Sequence, residues 1–318
     1  GISLTNNAIL DNANPLGQDA FLRGGVYVLD ALNFTFLNNL TINLPDLIGV
    51  LVENSSGTID LGAGTAIDAG TGGSVSGSSS MTVNNAGNLN ATGVGMLFSE
   101  VAALTLNNTD GEIVSSGNAA IDISSAFDSS VNTIALITNE ADINGADDAI
   151  RVSDVGRLTL SNDIGGTIEA SAGSAVNVSA TDGASREAVV DISNAGSIDG
   201  DSAGISLTNI PTAGVTNLAG ATIDAGNGFA IDASVSDAEV AGNVVIGNAE
   251  TGAISGSAGA IRLNNITTAF VNNAGAITAN AAAAIVAGVS GDTPPNAALT
   301  VNNEATGAIT GDDHAVQA

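Results

Sequence analysis

Asp60, Glu169, Asp199 and Asp224 each follow an isoleucine that closes a Gly/Ala-x-Ile triplet, and Asp68, Asp122 and Asp232 follow a second set of isoleucines. Carboxylates that recur at one place in a repeated motif line up if the motif stacks. Glu169, Asp199 and Asp224 then form an acidic column, the candidate place for calcium, which takes several oxygen ligands at once. The Gly-rich nonapeptide that supplies calcium turns in one class of solenoids is absent, so a solvated acidic face is the plainer expectation and no cofactor is expected. His314 is the single histidine and lies in Asp312-Asp-His-Ala, a loop without an accompanying nucleophile motif. Enzymes that cut glycans on a β-helix face need clustered carboxylates, usually with a basic residue to stabilise developing negative charge. Here Arg23, Arg151, Arg157, Arg186 and Arg262 are dispersed and lysine is missing, so a non-enzymatic chain is expected, with a polysaccharide lyase or hydrolase as the competing reading.

The acid excess also limits partners. Thirty-three acidic against five basic side chains give a formal charge of −28 over 318 residues. Neutralising phosphates takes a basic face that this chain cannot build, so nucleic acid and anionic membrane surfaces are excluded as partners. Cysteine is absent, which removes disulfides, thiolate metal sites and cysteine nucleophiles together. No apolar run reaches the roughly 18 residues of a membrane span, and Gly1 opens without a charged or apolar leader. Direct membrane insertion is therefore not expected, and any export signal or transporter segment is expected to lie outside this chain.

What positions the carboxylates is a repeat. Ten triplets of a small residue, any residue and an aliphatic one run from Gly57-Thr-Ile59 through Gly87-Asn-Leu89, Gly111-Glu-Ile113, Ala141-Asp-Ile143, Gly166-Thr-Ile168, Gly196-Ser-Ile198 and Ala221-Thr-Ile223 to Gly307-Ala-Ile309. A fixed period of this size means stacked supersecondary units. From Ile59 to Ile309 the steps are 30, 24, 30, 25, 30, 25, 31, 23 and 32 residues, so longer and shorter turns alternate in two-coil blocks of about 55. The extra residues fall in loops such as Ser124 to Thr133, Ser179 to Ala188 and Ala287 to Ala297.

Each repeat offers three short strands. Leu104-Thr-Leu106, Leu158-Thr-Leu160 and Val190-Asp-Ile192 alternate with period two, as half-buried strands do. A further set follows the triplets at Ala66-Ile67, Ala120-Ile121, Ala149-Ile150 and Ala175-Val176. Asparagine recurs shortly before each triplet, at Asn54, Asn85, Asn108, Asn139, Asn162, Asn194, Asn217, Asn248, Asn273 and Asn303, which predicts a structural ladder of stacked amides. The fold expected is all-β: a single chain wound into a parallel β-helix of about 10–12 coils, with Ile113, Ile143, Ile168, Ile198 and Ile223 as one inner ladder and Asn108, Asn139 and Asn194 within the amide ladder. Residues 50–318 carry the regular repeat. Residues 1–49 hold Phe21, Tyr27, Phe34 and Phe36 and are expected to form irregular N-terminal coils or a cap, although Phe34-Thr-Phe36 and Ile2-Ser-Leu4 follow the pattern of Leu299-Thr-Val301.

Asn272-Asn-Ala-Gly-Ala-Ile277-Thr, Ser193-Asn-Ala-Gly-Ser-Ile198-Asp-Gly and Asn84-Asn-Ala-Gly-Asn-Leu89 resemble the repeats of autotransporter passenger domains and related large bacterial surface adhesins. The resemblance implies a right-handed β-helix, secretion to the bacterial cell surface, and roles in adhesion, aggregation or surface structure. The C-terminal membrane barrel of that family is missing from this chain, so a passenger fragment that binds host or cell-surface ligands is one expectation. The other is self-assembly, with Ile2, Leu4 and Ile9 of one copy stacking on Ala315 and Val316 of another, head to tail. A heterologous contact that does not close on itself generates a filament. Glycans or other cell-surface components are the remaining expected partners.

Overall fold

The computed structural model describes residues 2–6, 10–11, 24–125, 133–181, 187–236, 241–288 and 297–318. Within them the chain is a parallel β-solenoid of twelve coils, each with three strand positions, which we call faces 1, 2 and 3. Coil 5 is typical. Ala103–Asn108 lies on face 1, Ile113–Ser115 on face 2 and Ile121–Ser124 on face 3. Every strand pairs in parallel with its equivalents one coil before and after, as in Leu106 with Val83 and Ile137, or Ile113 with Leu89 and Ile143. Face 1 is a separate 12-stranded sheet. Faces 2 and 3 merge into one of 22 strands, because Thr41–Glu53 and Ala66–Ser76 run through the corner between them. The first of these crosses residue 49, so the coils on either side of that point share a sheet.

Period-two alternation puts every second side chain inside. The inner ladder Ile113, Ile143, Ile168, Ile198 and Ile223 runs in register along face 2, each member fully buried. Burying one such side chain contributes about 1.5–3 kcal/mol. A carboxylate pair one rung apart in water repels by only about 1 kcal/mol before screening, so the aliphatic column outweighs the acidic surface. At the corner before face 3 the inner column narrows to Ala120, Ala149, Ala175, Gly204, Ala230, Ala260 and Ala284. A side chain added at Gly204 shows why: its Cβ would lie 2.8 Å from the Ile223 side chain and 2.7 Å from the Ala230 carbonyl. The small first residue of the triplet has a similar cause, since a Cβ on Gly111 would fall 1.8 Å from the Gly87 carbonyl of the coil before it.

Three sequence-based assignments are displaced near the start of the repeat. Ile59 belongs to face 1, in register with Phe36 and Val83, and the face 2 partner of Leu89 is Ile67. Ala66-Ile67 is therefore the face 2 strand of its coil and not a face 3 strand. Asn54 is outside the amide ladder. It sits at the corner leaving face 3 with φ of 49°, a left-handed conformation shared by Asp30, Glu100, Asp154, Asn209 and Asn265 at equivalent corners. These misassignments share a source: Gly57-Thr-Ile59 imitates the triplet, but its glycine is an inner residue of face 1 that makes room for the ring of Phe34.

Alternation of turn lengths holds from coil 4 onward. Residues 100–102, 154–156, 209–211 and 265–267 make short connections from face 3 to face 1, whereas 125–133, 180–188, 235–242 and 289–297 make long ones. The middles of the long connections lie outside the described residues. Phe34 and Phe36 are inner residues of face 1, and Ile2–Asn6 pairs with Phe34–Asn38, so the early coils follow the same plan with bulkier filling.

Candidate functional site

Two arrangements emerge from the coil geometry, an acidic column outside and an amide ladder inside. Glu169, Asp199 and Asp224 occupy successive rungs at the same outward position of face 2, as their spacing predicts. Each rung supplies one carboxylate, and all three point away from the core. Partial loss of water raises the pKa of Asp199 above the usual carboxylate value, and the charges of Asp224, Glu169 and Asp201 raise it further. Asp224 also accepts a hydrogen bond from the Ser255 hydroxyl on the next rung. Among the described residues no group of three or more His, Cys, Asp or Glu side chains is placed to hold one metal ion.

The described arginines, Arg151, Arg157 and Arg262, are tied to acids. Arg151 donates to Asp148 at 2.9 Å and to Asp147 at 2.5 Å, and lies 3.4 Å from Asp122 one coil earlier. Burial raises the pKa of Asp122, with Arg151 opposing that shift. Asp148 is itself buried and also receives the Ser174 backbone N–H and the Asn177 amide, so its charge is well partnered. Arg262 pairs with Asp232 through its Nε at 2.7 Å and lies over the Phe229 ring at 4.7 Å. Arg157 pairs with Asp191 at 3.0 Å. Arg23 and Arg186 lie outside the described residues. The dispersed placing of five arginines in the sequence does not show that Arg151 knits two coils together; Asp147-Asp148 shortly before it is the available signal.

Inside face 1 the amide ladder runs unbroken from Asn85 through Asn108, Asn139, Asn162, Asn194, Asn217, Asn248 and Asn273 to Asn303, each Nδ2 donating to the Oδ1 of the next at 2.7–2.9 Å. From Asn108 onward, every Nδ2 also donates to backbone carbonyls in the adjacent turn, as Asn139 does to Ala141 at 2.7 Å. The ladder is polarised. All donors face the C-terminal end and all acceptors the N-terminal end.

No further coil packs on the twelfth among the described residues, and its inner column there is less covered than in the middle coils. Val316 is 38% exposed, and Leu299, Val301 and Ile309 are half-buried, where their equivalents in the middle coils are fully buried. Ala315 accepts the Ile285 N–H, and Val316 pairs with Ile285. An apolar cavity of about 340 Å³, lined by residues including Leu263, Ile266, Ala269 and Leu299, opens there. At the other end Ile2 and Leu4 stand in register with Phe34 and Phe36, while Ile9 lies outside the described residues. His314 is an exposed residue of the last bend whose carbonyl accepts the Ala284 N–H.

The outer side of face 1 carries a feature that the sequence reading passed over. Val245 and Phe270, on adjacent rungs of the same outward column, are 48% and 44% exposed. The unalternating run Val244-Val245-Ile246 was the signal. No protein-family model, no curated protein and no solved structure matches this chain.

Proposed function

We propose that the chain is a non-catalytic structural rod of a bacterial cell surface, exported to the exterior and assembling coil on coil, head to tail, into fibres. The observation that carries a mechanical role is the amide ladder, whose eight successive side-chain hydrogen bonds couple nine coils along the axis beside a dry aliphatic core. Parallel backbone pairing and aliphatic stacking resist bending, and the acidic exterior keeps separate rods soluble through mutual repulsion.

End-to-end stacking is supported by matched registers. The exposed edge of the last coil presents Leu299, Val301, Asn303, Ile309 and Val316 at the columns where the first coil places Ile2, Leu4, Asn6, Leu10 and Val26. Apolar residue meets apolar residue, and amide meets amide. The Nδ2 of Asn303 donates to Gly307 at 2.9 Å and, among the described residues, meets no further side-chain acceptor, which suits the Oδ1 of a following asparagine. An unpaired strand edge favours the addition of another strand.

Electron microscopy of the purified protein tests this reading. Long fibres that Val301→Asp shortens to single rods are expected, and single rods from the unaltered protein would refute stacking. Release of unsaturated sugars from a glycan panel would instead establish the lyase reading. The adhesin reading rests on the resemblance of the Asn-Ala-Gly repeats, and capture of glycans by isolated rods would support it.

A further inference from the structure

We propose that face 1 of coils 8–12 is a lateral, self-complementary interface through which two rods pair antiparallel, with a two-fold axis along the strand Asn243–Asn248. The outward residues of that face are uncharged apart from Asp191, which Arg157 neutralises at 3.0 Å. In a chain of charge −28, a neutral sheet face can approach a copy of itself without acid meeting acid.

Shape points to the same partner. Along the central outward column the residues run Asp191, Gly214, Val245, Phe270 and Thr300 on successive rungs. Gly214 leaves a hollow, because a side chain there would find only the Asp191 carboxylate nearby, at 3.2 Å. A shallow depression of about 320 Å³, bordered by Thr159, Ser161, Asp191, Ser193 and Thr216, adjoins it. Phe270 is the matching knob.

Knob and hollow sit one rung either side of Val245. A two-fold axis through that rung, lying in the plane between two facing sheets, reverses the order of coils and keeps each column on itself. Val245 then faces its own copy, Phe270 enters the hollow at Gly214 of the second rod, and Asp191 meets Thr300. In the flanking columns Thr212 meets Thr268, Val189 meets Ala298 and Thr216 meets Asn272, so no charge is buried unpaired. Facing sheets pack about 10 Å apart with strands near 4.8 Å spacing, so five strands cover about 24 by 20 Å on each rod. The total of about 1,000 Å² buried reaches the lower limit for a specific interface.

The absence of cysteine makes the test direct. Val245→Cys, treated with a bismaleimide that spans about 8 Å, is expected to cross-link to itself, since facing sheets lie about 10 Å apart. Phe270→Cys is expected to cross-link in a mixture with Gly214→Cys and not alone. Thr105→Cys, in the same column on coil 5, serves as the control and is expected to stay uncoupled. Sedimentation equilibrium of Val301→Asp, which blocks end stacking, should still show a dimer at tens of micromolar that Phe270→Asp abolishes. A monomer at all concentrations would overturn the proposal. So would Phe270→Cys coupling to itself more readily than to Gly214→Cys, or Thr105→Cys coupling as well as Val245→Cys.

Discussion

Asn85 donates to Asn108 at 2.7 Å, yet its own Oδ1 is buried and receives no hydrogen bond, because the residue stacked before it is Leu61. The polarised ladder therefore begins with an unpaired acceptor. Where one rung lacks an asparagine, its C-terminal neighbour keeps an acceptor without a donor.

This asymmetry separates two chemically identical substitutions. Asn139→Leu strips Asn108 of its acceptor and Asn162 of its donor, and leaves the Ala141 and Thr167 carbonyls short of a partner. At about 1–3 kcal/mol for each buried group left unsatisfied, a loss of about 3 kcal/mol or more is expected. Asn85→Leu only moves the existing orphan acceptor one rung along, to Asn108, and is expected to cost about 1 kcal/mol, the net worth of one hydrogen bond. Urea denaturation of the two variants checks the order.

Ala149 occupies the corner column between faces 2 and 3, fully buried and flanked by Ala120 and Ala175. Ala149→Leu inserts three carbons where a close approach of backbone and isoleucine leaves no room. Overpacking of this kind costs about 1–3 kcal/mol or more. The midpoint of thermal unfolding should fall, while Asp122→Leu, outward on the neighbouring strand, would not show the same steric loss.

Acidification should stabilise the acidic column. The folded pKa of Asp199 lies above the ordinary carboxylate value, so over the range between the two the folded state binds more protons than the unfolded chain. Stability from this group is then fully present below the unfolded pKa and is lost as pH rises through the folded one. Near neutral pH, Asp199→Asn is expected to raise stability by about 1 kcal/mol at low salt and less at high salt, since each neighbouring carboxylate repels it by about 1 kcal/mol before screening. The substitution should also flatten the pH dependence of unfolding, which calorimetry between pH 4 and 7 would show.

Arg151 holds Asp122, Asp147 and Asp148 with a planar guanidinium, and its Nη1 also reaches Asn118 at 3.2 Å. Arg151→Met leaves buried Asp148 with only neutral donors and should cost about 2–3 kcal/mol. Arg151→Lys restores the charge but not the fork of donors, so at most partial recovery is expected. Chemical denaturation of both variants measures the difference.

Much of this architecture was legible before the fold was seen. Period two told which side chains of Leu104-Thr-Leu106 face inward, and the Gly/Ala-x-Ile triplets located face 2 on every coil from Gly87 onward. The stacking of Glu169, Asp199 and Asp224 followed from the same period. Gly57-Thr-Ile59 deceived because a glycine beside an aliphatic residue arises for two reasons, the closed turn before face 2 and the space demanded by the Phe34 ring. The node around Arg151 was not legible, because its carboxylates come from two coils and a corner whose path depends on three-dimensional packing. Nor was the pairing of a knob at Phe270 with a hollow at Gly214, which are 56 positions apart in sequence and two rungs apart in space.

One segment marks the boundary between what sequence and tertiary structure decide. Ile2-Ser-Leu-Thr-Asn6 and Ile205-Ser-Leu-Thr-Asn209 are identical, and both are extended and alternating, as local preference dictates. Yet the first lies on face 1 against Phe34–Asn38, and the second on face 3 between Val176 and Ile231. Asn6 aligns with the column of Asn38, whereas Asn209 turns a left-handed corner with φ of 58°. A period of two determines that these residues form a strand and which side chains alternate. It carries no information about which of three faces the strand occupies, because that choice is made by the backbone hydrogen bonds and side-chain columns of the neighbouring coils.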